Sequence, residues 1–270
     1  MTNRGPIPRR PGAVSRATLD ERADDAGVIE FPYVVDGTFP SPSTDVTWSE
    51  HAHATHQLIW NEYGASSATV ASRTWTITPT IGLWIPGGTL HSGWTPASTR
   101  QRSAQFDPTS FPSISDGPST VQISPLLGLL LDRLSLGELD DESRATTEAM
   151  VLDVIRPAPR ELLLRVPESA TVAPIVAVIR TNPADPTTLA QWADRLGIST
   201  RTITRIFIAE TGLGFARWVT IARAQHAITL LAQGESLDEI AERTGFSSAS
   251  AFGAAFRRST GMTPGQFRAL

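Results

Sequence analysis

The chain has no cysteine, which excludes disulfides and thiolate metal sites and leaves imidazole, carboxylate and carbonyl groups as metal ligands. No apolar run approaches the length of a membrane span, and the N-terminus offers Arg, Pro and Asp without an apolar stretch suited to export. A cytoplasmic protein with no membrane partner is therefore expected. Neither a nucleophile elbow nor a Gly-rich phosphate loop is present. Positive charge is also short overall: the net charge of −4 argues at first against nucleic acid. Wholesale disorder is excluded by the 40% hydrophobic and 19% charged fractions. A length of 270 residues allows two ordinary domains, each with its own core.

The charge is unevenly placed. From Thr171 onward there are ten arginines against seven acids, a local balance of +3 that leaves −7 for the rest. Phosphate neutralisation depends on local cations, so the asymmetry matters more than the total.

Residues 1–27 are rich in Pro, Gly, Arg and Asp without an apolar period, the pattern of a disordered arm. From Val28 to about Phe106 short strands are expected between turn residues, for example Gln57–Trp60, Ala68–Ala71, Thr74–Thr78 and Leu83–Ile85. Such spacing suggests a small barrel or sandwich over 28–120. The period then becomes helical. Leu126, Leu127, Leu130, Leu131 and Leu134 recur at three and four residues, and a second stretch runs from about Glu142 to Ile155. This region, 121–170, reads as a helical connector; its leucines serve packing first, and a dimer seam along the Leu126–Leu134 helix, which Leu127→Glu with Leu131→Glu should break, is the sharper reading. Pro157 and Pro159 break the second stretch, Pro167 and Pro174 bracket a short connector, and all-helical sequence is expected from there to the end, with 171–270 as a separate domain. The fold class is thus α+β, a β-rich front followed by an α-rich back.

The back contains one pattern twice. Thr188 and Gln191 have the form of a capping box ahead of the stripe Leu189, Ala190, Ala193 and Leu196. Gly197 follows, where a left-handed cap is needed. Ser199 can cap the next helix, which buries Ile203, Ile206 and Phe207 and leaves Arg201, Thr204, Arg205 and Ile208 on the opposite face. Ser236 with Glu239, then Leu237, Ile240, Ala241 and Gly245, repeats the grammar. Ser247 or Ser248 caps a helix that buries Phe252, Ala255 and Phe256 and carries Ser250, Arg257 and Arg258. Both units have the form of a helix-turn-helix. Between them Phe215 to about Ala232 is one uninterrupted helical pattern, ~27 Å long at ~1.5 Å per residue. It can set two recognition helices about one DNA turn, ~34 Å, apart.

At this point the run Ala241-Glu-Arg-Thr-Gly245-Phe246 through Phe256-Arg-Arg-Ser-Thr-Gly261-Met-Thr263-Pro264, with Leu196-Gly197-Ile-Ser199 and Glu210-Thr211-Gly212 upstream, resembles the signature of the AraC/XylS family of regulators. The resemblance covers roughly 172–270 and implies a bipartite DNA-binding domain fused to a sensor or dimerisation domain. The chain departs from many members in having Ala249, Ala251 and Ala254 on the second recognition helix. Base reading therefore falls to Arg201 and Arg205, with Ser199 and Thr204 beside them. The second helix holds mainly phosphates, through Ser247, Ser248, Ser250, Arg257 and Arg258.

Four of the five histidines lie in the front half. His51 and His53 are two apart and share a face on a strand; His56 and Gln57 follow, and Pro86-Gly-Gly88-Thr-Leu-His91 adds another after a tight turn. Imidazoles converging from two strands can bind a divalent metal such as Zn, Ni or Fe. The arrangement is similar to the two cupin motifs, which implies a cupin-like barrel, with Gln57 where metal-binding cupins usually have Glu. Three uses stay open: a metal site, a pocket for a small organic effector, or a vestigial site.

Two function classes compete. One is a sequence-specific transcriptional regulator whose cupin-like domain responds to a small molecule or metal and whose partners are promoter DNA, RNA polymerase and a second copy of itself. The other is a cupin metalloenzyme with an accessory helical domain. The doubled helix-turn-helix and the neutral Gln57 favour the first. A nucleoid-type binder without sequence preference would carry strong positive charge, and this chain is acidic.

Overall fold

The computed structural model describes residues 44–97, 99–135, 139–159, 161–260 and 262–268; the arm expected at 1–27 and the first part of the expected barrel lie outside them. In the front half, alternating sequence forms β1 (Val46–His51), β2 (His56–Tyr63), β3 (Ser66–Val70), β4 (Arg73–Ile77), β5 (Ile81–Ile85), β6 (His91–Thr95), β7 (Arg100–Phe106) and β8 (Ser119–Gln122). Two helices follow, α1 (Pro125–Ser135) and α2 (Asp141–Val154), and then a short strand β9 (Leu163–Arg165). The strands pair antiparallel in two sheets, β1-β6-β3-β4-β9 and β7-β2-β5-β8. Ala71, expected as strand, instead sits in the β3–β4 turn at φ 50°, where Val70 faces Arg73 across a two-residue loop.

Period-2 alternation decides what each face of the second sheet meets. Leu58, Trp60 and Trp84 pack with Leu127, Leu130, Leu131, Leu134 and Val151, so α1 and α2 cover the outer face. Ile59, Leu83 and Ile85 turn the other way and meet Ala68, Trp75 and Ile77 of the first sheet. The expected dimer seam is corrected here. Leu127 and Leu131 are fully buried against the sheet, and the leucines that α1 exposes are Leu126 and Leu129.

β9 is the second correction, since it lies in the region 121–170 that was expected to be a helical connector. In the run Leu162–Leu164 the first and last side chains are buried and Leu163 is half-buried on the opposite face. Leu163 joins the core between the sheets, whereas Leu162 and Leu164 enter two cores of the helical domain. A short apolar run between prolines has no period that distinguishes strand from helix. It becomes a strand because β4 offers an open edge.

The remaining chain is helical: α3 (Ala173–Thr181), α4 (Leu189–Leu196), α5 (Thr200–Thr211), α6 (Phe215–Ala232), α7 (Leu237–Arg243), α8 (Ala249–Thr260) and α9 (Pro264–Arg268). Both expected capping boxes form, Thr188 with Gln191 and Ser236 with Glu239. Gly197 adopts the left-handed conformation that ends α4. Gly245 does the same at φ +72°, and a Cβ there would also meet Ala184 and Arg223 at about 2.9 Å, so glycine is required twice over. Two apolar clusters hold the domain, one around Trp218 and Phe207 and one around Phe252 and Phe256, and α6 runs through both.

Candidate functional site

In the front domain the sequence folds so that three of the four histidines meet. His51 stands opposite His91 in the β1–β6 ladder, just after a register shift between Trp48 and His51. His53 lies on the loop into β2, and that loop is pinned from the other side: the Gly88 N–H donates to the His53 carbonyl at 2.7 Å. Gly88 is left-handed at φ +78°, and a Cβ on Gly87 would meet the Ala54 carbonyl oxygen at 2.5 Å. The tight Pro86-Gly87-Gly88 turn therefore exists to let the two loops touch. His51, His53 and His91 each bring one ring nitrogen to within 4.8 Å of the others. Their ring centroids lie 4.4–5.2 Å apart.

The hydrogen bonds fix two tautomers. His51 Nδ1 lies 2.7 Å from the Ser49 carbonyl oxygen and His91 Nδ1 lies 2.9 Å from that of Thr89. A carbonyl only accepts, so each Nδ1 carries a proton, and in the neutral ring the lone pair then lies on Nε2. This is how metal-binding imidazoles are oriented from behind. Burial, helped by the nearby His51 and opposed by the Thr89 hydrogen bond, lowers the His91 pKa to about 4, so the ring is neutral at pH 7.

His56 is used differently. It points to the outer face of β2 beside Trp84, and its Nδ1 accepts the Gly87 N–H at 2.9 Å. Burial lowers its pKa. Its role is to hold the glycine turn, and it stands outside the three-histidine group. Gln57, one residue on, shares the inner face of β2 with Ile59, and its Oε1 is buried with no hydrogen-bond partner. His91 shares its β6 face with Thr95, which donates across to Gln101 of the second sheet at 2.5 Å. Three imidazoles and an orphaned amide oxygen thus look into the space between the sheets. Nitrogens bonded to a shared ion at ~2.1 Å span at most ~4.2 Å, so a small rotation closes the group on a metal. The residues fit a divalent ion of the Zn, Ni or Fe type.

In the back domain Ser199 caps α5, accepting from the Thr202 N–H, and Ser248 caps α8, accepting from the Ala251 N–H. Both expected recognition helices therefore begin with ordered, outward N-termini. Arg201, Arg205, Ser247, Ser250 and Arg257 are exposed, and Thr204 is half-buried. Arg258 is exposed but lines a cleft of about 530 Å³ between α6, α8 and the Glu161–Leu163 segment.

Arg223 is one of the ten arginines beyond Thr171, and the structure gives it a role inside the protein. Its guanidinium donates to the carbonyls of Pro183, Asp185 and Gly245 at 2.7–3.0 Å, and burial lowers its pKa. It fastens α6 to the connector before α4 and to the turn of the second unit, so the two units keep one relative geometry. An Arg in a helix whose partners are all backbone carbonyls gives no sequence signal for this. Trp218 Nε1 and Gln225 Nε2 likewise donate to the carbonyls of Arg165 and Leu162, tying α6 to β9. No helix among the described residues is long and apolar enough to cross a membrane.

Two family models match the sequence. An AraC-like ligand binding domain aligns with residues 32–152 and a helix-turn-helix domain with residues 192–270. The HTH-type transcriptional regulator NimR of Escherichia coli is 27% identical over 83% of this chain and 83% of its own length. RipA of Corynebacterium glutamicum, another HTH-type transcriptional regulator, is 39% identical over 38% of this chain and 33% of its own length. A crystal structure titled as the DNA-binding domain of AdpA, the global transcriptional factor, in complex with a target DNA, superposes with a TM-score of 0.35. It is 33% identical and covers 37% of this chain and 92% of that one.

Proposed function

The chain belongs to the AraC family of DNA-binding transcriptional regulators, and from that premise we propose that its front domain senses a divalent transition metal. The matches are to regulators, which removes the metalloenzyme reading. His51, His53 and His91 would hold the ion, with Gln57 Oε1 aimed into the same space. The carrying observation is the pair of backbone carbonyls, Ser49 and Thr89, that point two Nε2 lone pairs inward. An organic effector would need no such matched tautomers. When bound, the ion supplies a positive charge shared by three imidazoles from β1, its following loop and β6. The protein side of the response is then a stiffening of the first sheet, the sheet to which β9 belongs.

In this reading Arg201 and Arg205 of α5 contact base edges, while the N-termini of α5 and α8 and the exposed Arg257 hold phosphates. A homodimer forms through the exposed Leu126 and Leu129 of α1, since large apolar side chains at i and i+3 otherwise face water.

The test is elemental analysis of full-length protein purified without a histidine tag, followed by salt-dependent binding to DNA upstream of its own gene, with and without metal. One ion per chain, lost in His91→Ala and His53→Ala, is expected. A site that stays empty after incubation with Zn, Ni and Fe would turn the reading to an organic effector.

A further inference from the structure

We propose that Ile208 reads the C5-methyl group of a thymine, and so sets base preference at one A·T pair of the operator. The inference rests on the DNA-binding reading above and adds a residue and a base to it.

α5 buries Ile203, Phe207 and Thr211, and Ile206 packs partly against the same cluster. That face is complete without Ile208, which is 52% exposed. Among the described residues beyond 171 it is the one large apolar side chain left in solvent. Packing does not account for it, and propensity does not either: a β-branched residue is a poorer choice than Arg, Glu or Gln at an exposed helical position.

Its neighbours indicate the occupant. Arg201, Thr204, Arg205 and Ile208 fall at i, i+3, i+4 and i+7, one continuous strip of the helix. Neither Arg201 nor Arg205 has an ion-pair partner among the described residues. An apolar protein surface would leave both guanidinium groups desolvated and unmatched, at a cost. The major groove matches the whole strip. Guanine offers acceptors to arginine, and thymine is the base that presents an apolar group there.

The experiment uses the full-length protein. A binding site is selected from a random duplex pool, and each thymine in it is then replaced in turn by deoxyuridine. That replacement removes the methyl group and keeps the hydrogen-bonding edge. The wild type is expected to lose about fourfold in affinity at one position, the worth of one buried methyl. Ile208→Ala should bind the thymine and uracil duplexes equally at that position and keep its preference elsewhere. Ile208→Gln serves as a second variant with the same expectation. Indifference of the wild type to every uracil, or an unchanged uracil penalty in both variants, overturns the inference alone. Failure to select any site overturns the DNA-binding reading and this inference with it.

Discussion

Burial holds the His91 imidazole at a pKa of about 4, against 6.5 for the free side chain. Between those two values the unfolded chain binds the proton and the folded chain does not, so stability rises with pH across that window. The contribution is complete above pH 6.5 and disappears as pH falls toward 4, roughly 3 kcal/mol at full extent. Metal-free protein should therefore lose several degrees of Tm between pH 7 and pH 4.5. In His91→Gln that loss should shrink; an undiminished loss would show that another group dominates the acid response. At this scale the sequence was legible in part. The meeting of His51, His53 and His91 was foreseen from a shared strand face, whereas the structure reaches it by pairing His51 with His91 across β1 and β6 and bringing His53 in from the following loop. His56 was not separable from them, since its partner is a backbone N–H of Gly87, invisible to side-chain spacing. The role of Arg223 was invisible for the same reason: its three partners are all carbonyls.

Helix ends were the most readable elements, because a capping box joins residues three apart and needs no tertiary knowledge. The faces of α1 were less so. Its leucines crowd around most of the helix, and a pattern of that kind does not state which flank meets the sheet. The structure distinguishes them and gives a prediction. Leu126→Glu with Leu129→Glu should leave the fold and Tm nearly unchanged while shifting sedimentation from dimer to monomer. Leu127→Glu should instead unfold the front domain, since a carboxylate would be placed at 0% exposure among Leu58, Trp84 and Phe106. A dimer that survives the first pair of substitutions would place the seam on another surface.

For the molecule as a whole, the division into a β-rich front and an α-rich back was clear from the change of period, yet the boundary was not. It was drawn near 170, whereas β9 already belongs to both halves: Leu163 to the sheets, Leu162 and Leu164 to the helices. A single segment with a side chain in each core is an element that the two halves share, and a route by which one half could bias the other. Linkage then requires that any factor by which an ion at the histidines strengthens DNA binding be returned by DNA to the ion. A promoter would thus be part of the sensor's set point, with copies seated on an operator keeping their ion at concentrations where free copies have released it. Metal titrations with and without saturating operator duplex measure that factor in one direction, and DNA titrations with and without metal measure it in the other. Pro substitution at Leu164, which removes a ladder N–H of β9, should bring both factors toward one.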